Sequence, residues 1–505
     1  MSDYNARVVA ALADSFGGPC RAGSNEMRPK LQRRLLTVAV VAVIVGTQGG
    51  AASWGQALPR PPFDFSGRLA IPKIADDAPN ILFISIDSLR ADHLGCYGYE
   101  RPTSPHIDAL AKEGVVFESS ISSTSWTLPS HVAMFTSLPD TAHGVRRPMD
   151  TLAIDHPLLA EVLQEAGYQT AGFFGGPLLH PSFGFGNGFD EYVDCTAKEL
   201  QEGKDITNPG IFREVSSWLE KPPTRPFFLF IHYWDVHSDY IPPAPYDTMF
   251  DPHYRGKTDF TKVMENRALG RNMDPADFQH LIALYDGEIR WTDEWLGKLF
   301  ELLRRKQLWE DTLVVLTADH GEEFFDHGMK GHRKSLYDEV LRVPLIVRYP
   351  GGVSLGVRRT EQVRSIDIYP TILDLVGIGG VPGLLGRSLV PLLGEDPGKW
   401  TPVAALGELH FQLMPLQSLR REEWKIIRDV KKDTAMFFDL SVDPRERVAV
   451  VPSSDSPKAE AALEELRFRF DALDTVRQTM SRISDETIQL DPELLERLRS
   501  LGYVD

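Results

Sequence analysis

Short apolar runs that each end on a carboxylate limit what this chain can fold into more than any other feature. Residues 80–86 lead into Asp87, 226–234 lead into Asp235, and 312–318 lead into Asp319-His320. Runs of this length without polar alternation read as strands buried on both faces. Further strands are expected at 168–174 and 342–348, with another beginning at Phe117. Helical stretches fall between them at 158–166, 212–219 and 367–376. A longer helix is expected where Leu281, Leu284, Ile289, Leu296, Leu299 and Leu303 recur at helical spacing. Strand alternating with helix predicts an α/β fold built on a doubly wound, mostly parallel sheet. From about residue 402 the pattern changes to short strands at 424–427 and 436–440, then helices at 463–476 and 492–501. A small C-terminal α+β subdomain follows from that change. Ligands gather at the carboxyl ends of strands in open α/β sheets, so the polar residues there are the first candidates for a site.

The stretch Ser122-Ser123-Thr124-Ser125-Trp126-Thr127-Leu128-Pro129-Ser130-His131 is the second constraint. Pro129 fixes its own φ and biases Leu128 away from helix. A helix is therefore expected to start with Pro129 at its first position, leaving Thr127 just ahead of the N-terminus. Unpaired N–H groups and the positive dipole end favour an anion there. A hydroxyl facing an anionic ester is a candidate nucleophile if something lowers its pKa. An ordinary capped turn has the same composition, so this stretch alone does not decide between the two.

Thr127-Leu128-Pro129-Ser130-His131 resembles the Cys/Ser-x-Pro-Ser-Arg signature of sulfatases. It is more similar to the Thr-x-Pro-Ser-His variant of sulfatase-like proteins in the alkaline-phosphatase superfamily. The resemblance runs from about Pro79 to the C-terminus through several motifs in the expected order. It implies a metal beside the nucleophile, held by an Asp after the first strand and an Asp-His or Asp-Asn pair later on. Asp87, Asp319 and His320 match those positions, and Thr127 completes a set of three oxygen donors and one imidazole. Such a set suits Zn²⁺, Mn²⁺, Mg²⁺ or Ca²⁺. One ion is expected, and the resemblance to nucleotide pyrophosphatases leaves a second open.

Two departures stand out. The sulfatase nucleophile is a formylglycine made from Cys or Ser, and threonine would give a ketone rather than the aldehyde. Sulfatases also carry a second Asp directly after the first, where this chain has Ser88. Losing that carboxylate argues against Ca²⁺ and toward phosphoryl-transferring relatives. The resemblance further implies a His and a Lys or His that bind the ester oxygens or the leaving group. His237 and His332 match best, with Lys330 beside them, and Lys330, Arg333 and Lys334 could balance substrate charge. Arg90 falls where an arginine holds the nucleophile turn in sulfatases, although a structural ion pair explains it equally well. His131 takes the signature's Arg position and is expected to bond the Thr127 turn. His232, inside an apolar run, and His143 are read as structural.

The whole chain narrows the setting. Its net charge of −17 over 505 residues argues against a nucleic-acid partner. Residues 28–34 are basic, 35–45 apolar and 49–53 small, the order of a secretory signal peptide. An uncleaved membrane anchor is the alternative, although the apolar run is shorter than the roughly 20 residues a spanning helix wants. Met27 precedes the basic run and is an alternative start. The expected organisation is 1–53 extension and leader or anchor, 54–78 linker, 79–400 catalytic domain and 401–505 C-terminal subdomain. Of three cysteines, Cys20 goes with the leader, so Cys96 and Cys195 could form one disulfide in an oxidising compartment. The function expected is an exported, metal-dependent hydrolase or transferase of phosphate or sulfate esters, with phosphoesters favoured. Its substrate would be a small, carbohydrate-derived or lipid-derived anionic ester, bound partly by the irregular segment 242–272. The alternatives are a sulfatase working without formylglycine and a binding protein that kept the fold after losing the chemistry.

Overall fold

A computed structural model of the protein describes residues 71–500, apart from 76, 153–155, 197–206, 222, 265, 350, 353–354, 396, 399, 412–413 and 481–491. The leader or anchor expected at 1–53 and most of the 54–78 linker lie outside the described residues. Among the described residues no helix is long and apolar enough to cross a membrane.

The apolar runs form the centre of a nine-stranded sheet. Its strands are β1 (Asn80–Ile86), β2 (Val115–Ile121), β3 (Gln169–Phe174), β4 (Glu191–Asp194), β5 (Phe227–Tyr233), β6 (Thr312–Ala318), and beyond a small β7–β8 hairpin (Glu323–Phe324 and Lys330–Gly331), β9 (Arg342–Arg348), β10 (Val357–Arg359) and β11 (Val363–Arg364). The order is β10-β2-β9-β6-β1-β5-β3-β4, with β11 also paired to β2. β1 lies between β5 and β6, parallel to both, with Ser85 opposite His232 and Thr317. Only β9 runs antiparallel, to β2 and to β6, so the sheet is mostly parallel as the strand–helix alternation predicts. The central position of β1 puts Asp87 at the carboxyl edge in the middle of the sheet, with Asp319 beside it at the end of β6.

Side chains of β1 alternate between two cores, as the period of a strand requires. Ile81 and Phe83 pack into one, with Val132, Met134 and Phe135 of the helix Thr127–Thr136, here α1. Leu82, Ile84 and Ile86 pack into the other, against Leu281, Ile289, Leu296 and Leu303 of the long helix Pro275–Arg305, here α2. Both faces are therefore covered, which is why the strand sequences are apolar throughout.

The C-terminal subdomain is a four-stranded antiparallel sheet, β12 (Ala405–Leu409), β13 (Leu416–Arg420), β14 (Trp424–Asp429) and β15 (Thr434–Asp439), covered by α3 (Pro457–Met480). It joins the large domain at the loop that leads into Thr127. Glu408 N–H donates to the Ser123 carbonyl at 2.8 Å, and the Thr124 hydroxyl donates to the Glu408 carbonyl at 2.7 Å. A buried ion cluster makes a second junction: Lys425 Nζ lies 2.8 Å from Asp338 and 2.8 Å from Glu446, and Arg420 lies 2.9 Å from Asp338. Lys425 is fully buried, and burial pushes Glu446 up to about 7. Lys425→Met strands Glu446 without its cation and is expected to cost about 3 kcal/mol or more. Chemical denaturation measures this, and a loss below 1 kcal/mol would show that the cluster contributes little.

The two cysteines outside the N-terminal segment do not pair. Cys195 is buried and Cys96 half-buried, both as free thiols, which corrects the disulfide expectation. Cys96 sits among the polar groups at the start of the Pro105–Lys112 helix, where its N–H donates to Asp108 at 2.7 Å. Cys195 follows β4 at the opposite edge of the sheet.

Candidate active site

Thr127 is the first residue of α1, not a residue ahead of it. Pro129 is tolerated at the third position because the first N–H groups of a helix have no partner within it. The start of α1 is clamped to the β6 edge by two hydroxyls. Ser122 and Ser130 both donate to the Asp319 carbonyl, at 2.6 and 2.7 Å. Sequence-distant residues therefore meet: Thr127 Oγ1 is 3.3 Å from Asp87 Oδ2 and 3.3 Å from His320 Nε2. His320 Nε2 lies 3.7 Å from Asp87 Oδ1 and 3.5 Å from Asp319 Oδ2.

Asp87, Asp319 and His320 form, among the described residues, the group of acidic and histidine side chains whose ligand atoms lie close enough together that they could hold a metal ion. The residues fit such an ion. Asp319 Oδ1 accepts the N–H groups of Ser88 and His320, at 3.2 and 2.8 Å. Its Oδ2 is buried without a hydrogen-bond partner, an expensive arrangement unless a cation lies against it. His320 Nδ1 faces the Gly321 carbonyl at 2.9 Å, which presents Nε2 as the lone-pair nitrogen. Burial, and then the neighbouring charge of Asp87, raise Asp319 well above the usual carboxylate range. Burial also acts on Asp87, but His237, His232 and His320 outweigh it and hold that carboxyl well below the usual range.

Ser88 stands where a second carboxylate was sought. Its hydroxyl donates to Asp87 Oδ1 at 2.9 Å and its backbone is left-handed at φ 55°. That conformation, disfavoured for a residue with a Cβ, turns its N–H onto Asp319.

His237 and His332 flank the cluster. Their rings lie 5.0 Å apart, and the His332 ring lies 4.5 Å from that of His320. His237 Nδ1 donates to the Ser238 carbonyl at 2.6 Å. His332 Nδ1 faces Glu322 at 3.1 Å, while its Nε2 is buried with no hydrogen-bond partner. Burial pushes His237 down to about 4 and His332 well below its ordinary value, so both rings are neutral at pH 7.

Two expected residues are elsewhere. The Arg90 guanidinium is held by Asp92 at 2.8 Å, Asp326 at 2.9 Å and the Glu322 carbonyl at 3.0 Å. It braces the loop after β6 through these ion pairs, and no hydrogen bond to Thr127 is found among the described residues. Lys330 Nζ donates to the carbonyls of Asn266 and Leu269, at 2.5 and 2.8 Å. These contacts tie it to the 242–272 segment. Lys334 donates to the Lys330 carbonyl at 3.1 Å, and Arg333 lies over the Phe411 ring at 4.9 Å. Asp235 accepts from Asn208 N–H and Trp291 Nε1, each at 3.1 Å, and so anchors the helix Asn208–Glu220. His143 accepts from Val145 N–H at 3.1 Å.

Other residues correct the opposite error. His232 is no satisfied core histidine: neither ring nitrogen has a hydrogen-bond partner, and Nε2 faces Asp87 Oδ2 at 3.5 Å. Glu322 was missed altogether. It is fully buried, takes the Tyr240 hydroxyl at 2.8 Å and orients His332. Its position three residues after Asp319 was the available signal.

Comparison with known proteins places this arrangement. The Sulfatase family description matches residues 79–378, and the N-sulphoglucosamine sulphohydrolase C-terminal family matches 324–473. An N-acetylglucosamine-6-O-sulfatase of Bacteroides thetaiotaomicron is 23% identical over 77% of this chain and 85% of its own length. The multifunctional alkaline phosphatase superfamily protein PehA of Trinickia caryophylli is 25% identical over 73% of this chain and 90% of its own. Among solved structures, the phosphonate monoester hydrolase of Agrobacterium radiobacter superposes with a TM-score of 0.65 at 22% identity, covering 82% of this chain and all of that one. The match to the Sulfatase family spans the large sheet, the loop that leads into Thr127 and the Asp319-His320 turn, and on that ground the chain belongs to the sulfatase family.

Proposed function

We propose that this ester hydrolase cleaves phosphate esters, diesters foremost, in preference to sulfate esters, with Thr127 as its nucleophile. The observation that carries the reading is the Thr127 hydroxyl 3.3 Å from both Asp87 and His320 at the start of α1. Asp87, Thr127, Asp319 and His320 would hold one divalent ion, and Zn²⁺ or Mn²⁺ suits the imidazole and the missing carboxylate at Ser88 better than Ca²⁺. Such an ion lowers the pKa of a coordinated hydroxyl and neutralises charge developing on the phosphoryl oxygens.

The chain's own residues account for the rest. Thr127 Oγ forms a bond to phosphorus in line with the leaving alkoxide, whose bond to phosphorus breaks. The hydroxyl proton, which faces Asp87, is passed on to the leaving alkoxide, which departs as an alcohol. Water then attacks the same phosphorus and gives up a proton, the Thr127–phosphorus bond breaks, the Thr127 oxygen takes a proton back, and the product departs as a phosphate monoester from a diester substrate or as phosphate from a monoester. Glu322 takes the His332 Nδ1 proton side and so presents Nε2 as a base toward this water, with His237 holding substrate oxygens beside it.

A formylglycine hydrate releases sulfate by elimination from carbon. A Thr–sulfate ester has no such route and must be cleaved at sulfur. That difference favours phosphorus. A fold that had lost its chemistry would gain nothing from the partnerless Asp319 Oδ2, which speaks against a mere binding protein. Matched aryl phosphodiester, phosphomonoester and sulfate ester substrates on one metal-loaded preparation test the preference. The phosphodiester is expected to lead in kcat/KM, and a tenfold lead for the sulfate ester, about 1.4 kcal/mol of barrier, would replace this reading with that of an unusual sulfatase.

The relative from Bacteroides thetaiotaomicron is a sulfatase of an amino sugar. That supports a carbohydrate-derived leaving group here, with a lipid-derived one as the alternative. The basic, apolar, small order of 28–53 supports export, by cleavage near Ser53. N-terminal sequencing of the exported protein is expected to begin there, and full-length chain confined to the cytosol would overturn it.

A further inference from the structure

His131 makes two hydrogen bonds that join the nucleophile to the strand carrying Asp87. Its Nδ1 is 2.9 Å from the Thr127 carbonyl, and its Nε2 is 2.9 Å from the Ser85 hydroxyl. All three residues are buried, Ser85 and His131 completely. Among the described residues no carboxylate oxygen lies within hydrogen-bond range of the buried ring, whose partners are the Thr127 carbonyl and the Ser85 hydroxyl, and a buried imidazole without such a partner is held neutral. A neutral imidazole has one donor and one acceptor, and a carbonyl can only accept. The proton is therefore on Nδ1, and Nε2 takes the Ser85 hydroxyl proton. Asp319 Oδ2, 3.8 Å from Nδ1, is beyond hydrogen-bond range and does not compete. Packing prevents the ring from turning: His232 lies edge-on at 4.6 Å and Phe230 at 6.1 Å.

Both ends of this connection are rigid. Ser85 is two residues before Asp87 on the central strand, and Thr127 begins α1. We propose that Ser85 and His131 act as one positioning unit that sets the reach of the Thr127 hydroxyl to Asp87 and His320. The proposal rests on Thr127 being the nucleophile. The two hydrogen bonds are in series, so losing either one releases the same constraint. Displacements well under an ångström at a nucleophile are felt in the chemical step more than in substrate binding.

The test is a double-mutant cycle with Ser85→Ala and His131→Asn, since the Asn side chain can still donate to the Thr127 carbonyl but does not reach Ser85. Each single variant is expected to lower kcat about tenfold or more, with KM within twofold. The double variant is expected to be no worse than the weaker single one, because both break one series connection. Multiplying losses, or unchanged kcat in Ser85→Ala, would overturn the proposal. Ser85→Ala removes one buried oxygen, so it remains informative if His131→Asn fails to fold. Nitrogen-15 ring resonances of histidine-labelled protein give a second readout that needs no turnover. The wild type is expected to show His131 as the Nδ1-protonated tautomer, with the Nε2 signal moving in Ser85→Ala. An Nε2-protonated ring would overturn the proposal even if the wild type hydrolysed no ester, an outcome that by itself would count only against the proposed activity.

Discussion

Thr127→Ala is expected to abolish ester turnover, by at least about a thousandfold in kcat, because it removes the hydroxyl that lies between Asp87 and His320 at the start of α1. Ser122 and Ser130 are near in sequence, but both hydroxyls are committed to the Asp319 carbonyl. The fold should survive the substitution. The α1 start is held by those two serines and by the Arg333 N–H to the Ser125 carbonyl at 3.0 Å, none of which uses the Thr127 side chain. Thermal unfolding within a few degrees of wild type is therefore expected alongside the lost activity. Thr127→Ser keeps the hydroxyl and should keep part of the rate, lowered because the methyl group no longer restricts the rotamer. Burst kinetics and mass spectrometry on a slow substrate should find the phosphoryl adduct on Thr127 in the wild type alone. Near-wild-type turnover in Thr127→Ala would mean that water attacks the ester directly.

Asp319→Asn should remove bound metal and activity together. The substitution preserves shape but loses the charge at Oδ2, which has no hydrogen-bond partner to compensate. Outer-shell partners of metal ligands already cost about 10- to 100-fold in affinity or activity when removed, so a ligand itself is expected to cost more than about a hundredfold. His320→Ala should behave alike. Elemental analysis gives the metal content independently of turnover. Chelation of the wild type should inactivate it, with recovery on adding back Zn²⁺ or Mn²⁺. Arg90→Gln supplies the contrast: its loss of Asp92 and Asp326 partners should lower thermal stability while leaving metal content intact. Full activity in metal-free wild type would overturn the metal assignment.

The strands of the large sheet were legible because their residues are buried on both faces and so carry no polar alternation. β6 and β9 match their expected limits to the residue. The antiparallel direction of β9 was not legible, since a fully buried run reads the same in either sense. The helix start was misplaced by two residues for a local reason: Pro129 marks an N-terminal turn without saying which of its positions the proline fills.

At the site, the sequence by itself determined the residue types at the strand ends: Asp87 after β1, Asp319 and His320 after β6, and the hydroxyl of Thr127 beside a proline turn. Short-range pattern suffices there because a polar group ending a buried strand must face the sheet edge. Whether a charged side chain near that edge reaches the centre depends on partners from other segments of the chain, and only the tertiary structure decided that. Arg90 found Asp326, and Lys330 found the carbonyls of Asn266 and Leu269, so both cations were drawn off. His232, placed inside a strand, was instead left facing Asp87 because β5 pairs with β1 in the register that sets it opposite Ser85. Glu322 became the partner of His332 only when the loop after β6 folded back on itself. Strand-end chemistry is written in local burial, whereas the sharing of charge and hydrogen bonds is a contest among all groups the fold brings within about 3–4 Å, the range over which those interactions act.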